Sequence, residues 1–326
     1  MREGSTTRRS LLALGGALAL AAPAAANPAW PTRPVRIIVP VAPGGSLDTL
    51  ARIVAERLRD GLGQPVLVEN RPGAASNLGF ELVAGSPPDG HTLLLAPDSL
   101  TVNPALFEGL RYHAETSFAP VMLLTRAAQV LALRRDLPPA TLQDFIALAR
   151  ARDGRLNIAS PGNASSGHLA GALLQLRTGA NWAHVPYRGG GPAVADVLAG
   201  HVDGVWVTLA PAVPHIRAGA LRAVAVSTPG RAAALPDVPT VAEQGVPGFD
   251  VTNWQGLFAP AGTPPAIIRR LHDAVLRVLE EPAVRARLED QGFEVVAGPP
   301  EALAATVAEN LPRWREVVRA AGIRAD

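Results

Sequence analysis

The chain has 326 residues, with 30 basic and 28 acidic side chains and a formal net charge of +2. It has no cysteine and no lysine, so all 30 of those basic residues are arginine. These absences exclude a disulfide framework, a thiolate zinc site, an iron–sulfur cluster and a thiol nucleophile, together with a Walker A loop, a Schiff-base enzyme and a pyridoxal-phosphate anchor.

Residues 1–26 read as a targeting signal. Arg2, Arg8 and Arg9 form a positive start, Leu11 to Ala22 a short apolar run, and Ala24-Ala25-Ala26 a cleavage site. The Arg8-Arg9 pair fits a twin-arginine signal and an ordinary secretory signal alike. Its removal leaves 27 arginines against 27 acids, so the basic excess belongs to the leader. There is no basic run for nucleic acid, and no later apolar run is long enough for a bilayer. Without cysteine there is no lipid-modified N-terminus, and the expected location is the periplasm, as a soluble protein.

In chain order, Val35–Val39 is a buried strand, broken by Pro43-Gly44-Gly45. A helix follows, with Ser46 as N-cap and Leu50, Ile53, Val54 and Leu58 on one face. Val66–Val68 is a strand, Asn70–Ser76 a loop, and a short helix runs to about Ala84; Pro87–Gly90 is a turn and His91–Ala96 a third strand. This βαβαβ order predicts a mostly parallel sheet with helices on both faces. A second unit begins near Arg126. It has strands at Gln129–Leu133, Leu156–Ser160, Ala183–Pro186, Val202–Val207 and Leu221–Val226, and helices at Leu142–Ala151 (opened by a Thr141–Asp144 capping box), Gly167–Leu176 and Pro192–Leu198. Pro229–Pro247 reads as a connection.

The last third returns to helix. Thr263 is expected to cap, with Pro264 first in the helix, and Ile267, Leu271, Val275 and Leu279 recur at helical spacing. A final helix from about Pro300 carries Leu303, Val307, Leu311, Trp314 and Val318, with a kink expected at Pro312. Neither helix has a strand of its own, so both are expected to pack back on the first unit. The expected division is lobe 1 at 27–126 plus 252–326 and lobe 2 at 127–251, with two crossings forming a hinge beside a cleft.

Four loops share one pattern of apolar strand, small residues and helix start: Pro43–Asp48, Asn70–Asn77, Pro161–His168 and Tyr187–Pro192. Such loops lie at the carboxyl ends of parallel strands, where backbone N–H groups and helix N-termini favour an anion. The candidate ligand residues are Pro43, Gly44, Gly45, Leu47, Asp48, Ala74, Ala75, Ser76, Asn77, Gly162, Asn163, Ser165, Ser166, His168, Tyr187 and Thr208. Ser165 also fits a helix cap, His168 a packed histidine, and Asp48 an acid favoured by the helix dipole alone. Arg71 and Arg188 fit solvated surface side chains as well as carboxylate partners.

Enzyme motifs are absent. Gly162-Asn163-Ala164-Ser165-Ser166 is not a G-x-S-x-G elbow, and the histidines show no metal spacing. No cofactor or metal is expected. A Ser/His/acid site assembled from distant residues stays open.

At these loops the chain resembles the substrate-binding receptors of tripartite tricarboxylate transporters, the Bug family. The resemblance is carried by Trp30–Pro40, Ala42–Asp48, Glu69–Ala74, Pro88–Leu94, His184–Gly189, Leu235–Thr240 and Ala259–Pro264. It implies a type II-like, two-lobed α/β periplasmic binding protein, with two doubly wound sheets joined by a two-segment hinge. Such a receptor closes on a small carboxylate and presents it to membrane permease subunits. The resemblance also implies that Pro43–Asp48 reaches the ligand partly through water, and that Ala74–Asn77 and Gly162–His168 contact carboxylates. A monomer is expected. Where many members carry a pocket acid after Val202-Asp203, this chain has Val207-Thr208, which favours a non-amino organic acid. A secreted enzyme acting on a small acid and a receptor feeding a sensor protein are the alternatives.

Overall fold

The computed structural model describes Met1, residues 30–320 and residues 322–324; the leader after Met1 lies outside the described residues. The first half begins with β1 (Val35–Val39), α1 (Ser46–Leu62), β2 (Val66–Asn70), α2 (Asn77–Ala84), β3 (Thr92–Pro97) and α3 (Ser99–Val102). β1 pairs in parallel with β2 on one edge and β3 on the other. Alternate side chains enter different cores: Ile37 packs with Leu50, Leu58 and Leu93, whereas Ile38 packs with Phe80 and Leu94. This two-residue alternation explains the continuous apolar strands, which are covered on both faces.

The expected strand Gln129–Leu133 is the end of a longer one, β4 (Phe118–Arg134). Pro120 obscures its first half in the sequence, and register shifts between Pro120 and Met122 and between Leu123 and Thr125 accommodate the irregularity. The chain continues through α4 (Leu142–Arg152), β5 (Asn157–Ser160), α5 (Ser166–Thr178), β6 (Ala183–Pro186), α6 (Gly190–Leu198), β7 (Gly204–Thr208), α7 (Leu209–Arg217) and β8 (Leu221–Val226). The capping box forms: Thr141 Oγ1 accepts the Asp144 N–H at 3.1 Å, and Asp144 accepts the Thr141 N–H at 3.2 Å. Residues 227–251 contain no strand or helix.

β9 (Thr252–Pro260), α8 (Pro265–Glu280), α9 (Pro282–Asp290), β10 (Phe293–Gly298) and α10 (Pro300–Ala320) complete the fold. The expectation that the last helices lack a strand is corrected by β10, which pairs antiparallel with β4. Thr263 does not cap α8. Its hydroxyl donates to the Pro260 carbonyl, and Pro264, extended at ψ 136° because another proline follows, precedes a helix that starts at Pro265. α10 runs through Pro312 to Ala320.

β4 belongs to both sheets. Ala128 pairs with Thr252 of β9, and the next residue, Gln129, pairs with Thr208 of β7. The strand path is β2-β1-β3-β9-β4-β7-β5-β6, and β8 and β10 also pair with β4. The two sheets therefore meet between Ala128 and Gln129. α10 adds a further tie: Leu303 and Val307 pack in the first half, and Trp314 and Val318 in the second.

Candidate ligand-binding site

A cavity of about 310 Å³ lies between the halves, and all four predicted loops reach it. That volume sits at the small end of small-molecule sites. Gly45, Leu47, Ala74, Ala75, Ser76, Gly162, Asn163, Ser165, Ser166, Tyr187 and Thr208 line it. Pro43, Gly44, Asp48, Asn77 and His168 do not, and each has another place in the structure.

Asp48 is a strut behind the first loop. Its carboxylate accepts the Gly44 N–H at 2.9 Å, Arg52 Nε at 3.0 Å and Asn70 Nδ2 at 3.0 Å. Burial opposes its charge, but these donors outweigh burial and hold the carboxyl below its usual range. Gly44, at φ +83°, makes the turn that aims its N–H inward at Asp48. Pro43 and Gly44 meet the second half instead, where a Cβ on Gly191 would fall 2.8 Å from the Pro43 carbonyl oxygen.

Ala74, Ala75 and Ser76 hold φ of +45°, +51° and +77°, a left-handed run that side chains seldom adopt. Asn103 fixes it by donating to the Ala75 carbonyl at 2.9 Å and to Asn77 Oδ1 at 2.6 Å; Tyr112 also donates to Asn77 Oδ1, at 2.8 Å. Asn77 thus supports the loop from behind. Strain held this way is typical of binding sites.

At the start of α5, the Ser165 hydroxyl accepts the His168 N–H at 3.2 Å and donates to the Gly162 carbonyl at 2.7 Å, so Ser165 both caps the helix and lines the cavity. The His168 ring stacks on His184 with centroids 3.9 Å apart. His184 contacts Ser160 Oγ at 2.6 Å, and burial, with His168 beside it, pushes His184 down to about 3. Neither Ser160 nor His184 lines the cavity. Tyr187 presents its ring to the cavity while its hydroxyl donates to Asp196 at 2.5 Å. Arg188 lines the cavity, whereas Arg71 pairs with Glu69 at 3.1 Å outside it. The Ser46 and Thr208 hydroxyls hydrogen-bond across the cleft.

Sequence patterns did not single out the remaining wall. Gln129 on β4, Asn253 and Gln255 on β9, and Asp98 and Ser99 after β3 all line the cavity. Asn253 Nδ2 donates to Asp98 Oδ1 at 2.8 Å and to Ser166 Oγ at 3.1 Å, joining both halves. Burial pushes Asp98 up to about 7, against the nearby Ser166 hydroxyl, the Asn253 amide and the Ser99 N–H. The acid that Val207-Thr208 does not supply has a counterpart elsewhere: Asp98, at the end of β3, a strand that pairs with β9. Its only sequence signal was an Asp directly after an apolar strand. Among the described residues, no group of three or more His, Asp or Glu side chains is arranged to hold a metal.

Two mixed sheets sharing β4 around an interlobe cavity define the class of periplasmic binding proteins. Within that class the chain belongs to the tripartite tricarboxylate transporter receptor family, whose model, described as "Tripartite tricarboxylate transporter family receptor", matches residues 50–323. The chain is 38% identical over 307 residues to Protein BugT of Bordetella pertussis, covering 94% of each chain. Its structure is similar to that of the periplasmic binding protein BugD, with a TM-score of 0.88, 34% identity, and coverage of 91% of this chain and 100% of BugD. It is also similar to MatC from Rhodopseudomonas palustris with bound malate, with a TM-score of 0.85, 38% identity, and coverage of 89% and 100%. No helix among the described residues is long and apolar enough to cross a membrane.

Proposed function

We propose that this protein is a periplasmic receptor that captures a small organic carboxylate between its lobes and hands it to the membrane permease subunits of a tripartite tricarboxylate-type transporter. The carrying observation is the convergence of all four small-residue loops on one cavity, with the α1, α5 and α6 starts contributing Gly45, Ser46, Ser166 and Gly190. Backbone N–H groups there supply an anion site without lysine or metal. The malate in MatC supports the carboxylate class, and the family's name supports the permease partner. We take lobe 1 as residues 27–126 with 252–326 and lobe 2 as 127–251. Binding rather than catalysis is favoured because the Ser160–His184 pair stands outside the cavity wall.

A thermal-shift screen of residues 27–326 against mono-, di- and tricarboxylates, amino acids and aromatic acids tests this function. A carboxylate at about 100 times its dissociation constant adds about 2.7 kcal/mol and is itself recovered chemically unchanged. Failure of every carboxylate to stabilise the protein overturns the assignment.

A further inference from the structure

Asp98 is 1% exposed and lines the cavity, and its two oxygens differ. Oδ1 accepts from Asn253, whereas Oδ2 is buried and has no hydrogen-bond partner among the described residues. The donors behind it all run one way. The Thr125 hydroxyl donates to Gln255 Oε1 at 2.5 Å, the Gln255 amide donates to Asn253 Oδ1, and the Asn253 amide donates to Asp98. This chain ends on an acceptor with one oxygen to spare. Register holds the row together: Pro97, beside Asp98, pairs with Gln255, and Gln255 and Asn253 pair with Thr125 and Ala127 of β4. Gln129, fully buried in the same wall, has a side-chain amide with neither atom hydrogen-bonded among the described residues.

The two sides of the cavity therefore ask for different ligand groups. Helix starts and left-handed turns offer donors, and suit a carboxylate. Asp98, once ionised, offers an acceptor and repels one. We infer that Asp98 is a specificity-determining residue, whose Oδ2 accepts a hydrogen bond from a hydroxyl or ammonium group on the bound acid, with the Gln129 amide beside it. This rests on the carboxylate function proposed above and narrows it to carboxylates that carry a hydrogen-bond donor. A site built to pair with such a group discriminates strongly against an analogue lacking it, because a buried polar atom is then left alone.

Isothermal titration calorimetry with matched sets tests this: propionate, lactate and alanine; succinate, malate and aspartate; glutarate, 2-hydroxyglutarate and glutamate. In the wild type, a hydroxy or amino member is expected to bind at least about 10-fold tighter than its parent acid. Asp98→Ala is expected to shrink that ratio below about 3-fold, and Asp98→Asn, which keeps the shape, shows by thermal melting that folding is intact. A larger loss for the amino than for the hydroxy member in Asp98→Asn identifies an ammonium partner; equal losses identify a hydroxyl. Parent acids that bind as tightly as their substituted analogues, or a preference that survives Asp98→Ala, overturn the assignment to Asp98 while leaving the receptor function standing. Absence of binding by all nine acids overturns this assignment, and the receptor function falls with it only if the wider carboxylate screen also fails.

Discussion

The Ala42 N–H donates to the Arg188 carbonyl at 2.7 Å, a backbone hydrogen bond made from one half of the molecule to the other. Gly44 and Gly191 meet beside it so closely that a Cβ on Gly191 would lie 2.9 Å from the Gly44 carbonyl carbon. The cleft is shut by backbone against backbone, an approach that glycine alone permits at this separation.

Gly191→Ala should therefore act on closure rather than on folding. The obstructing atoms are main-chain atoms and cannot rotate away, while alanine suits the first turn of α6. Affinity for a bound carboxylate should fall about 10-fold or more by calorimetry, with no loss in the melting temperature of the ligand-free protein. Unchanged affinity would mean that the lobes close without this contact.

Two buried aspartates should give opposite pH dependences. The folded Asp48 titrates below the ordinary 3.8, so its stabilisation is present above that pH and is lost as pH falls through its folded value. Asp48→Asn should cost about 1.5–3 kcal/mol at pH 7, with the gap closing below about pH 4. Asp98 is raised from 3.8 to about 7, so the folded state keeps a proton that the unfolded chain has released, and stability falls as pH rises between those values. Asp98→Asn should match wild type near pH 4 and exceed it by on the order of 3 kcal/mol at pH 8, measured without ligand by urea denaturation. Parallel curves for wild type and variant would refute either assignment.

Trp314 tests the tie made by α10. It is 1% exposed and packs in the core that holds Phe145 and Leu169, although its helix begins in the other core at Leu303. Trp314→Ala should cost about 3–5 kcal/mol in urea denaturation. A loss under about 1 kcal/mol would mean that the end of α10 contributes little to the second half.

Much of the site was legible because its signals are local. A strand, a few small residues and a helix start occupy one stretch of chain, and all four such stretches reach the cavity. Which residue in each loop faces inward was less legible. Asp48 and Asn77 occupy the expected loops but turn back, Asp48 to accept the Gly44 N–H and Asn77 to accept from the Asn103 amide that holds Ala75, a choice set by partners such as Asn70 and Asn103 elsewhere in the chain.

By itself, the sequence determined the alternation of strands and helices, the two apolar faces of the parallel strands and the loops that carry helix N-termini, since periodicity and small-residue turns act over a few residues. Only the tertiary structure decided the polar wall opposite those loops. Asp98, Gln129, Asn253 and Gln255 become neighbours through β3–β9 and β4–β9 pairings between segments far apart in the chain. Antiparallel register, fixed by bulges and by the sharing of β4, places them there, and no short stretch of sequence encodes it.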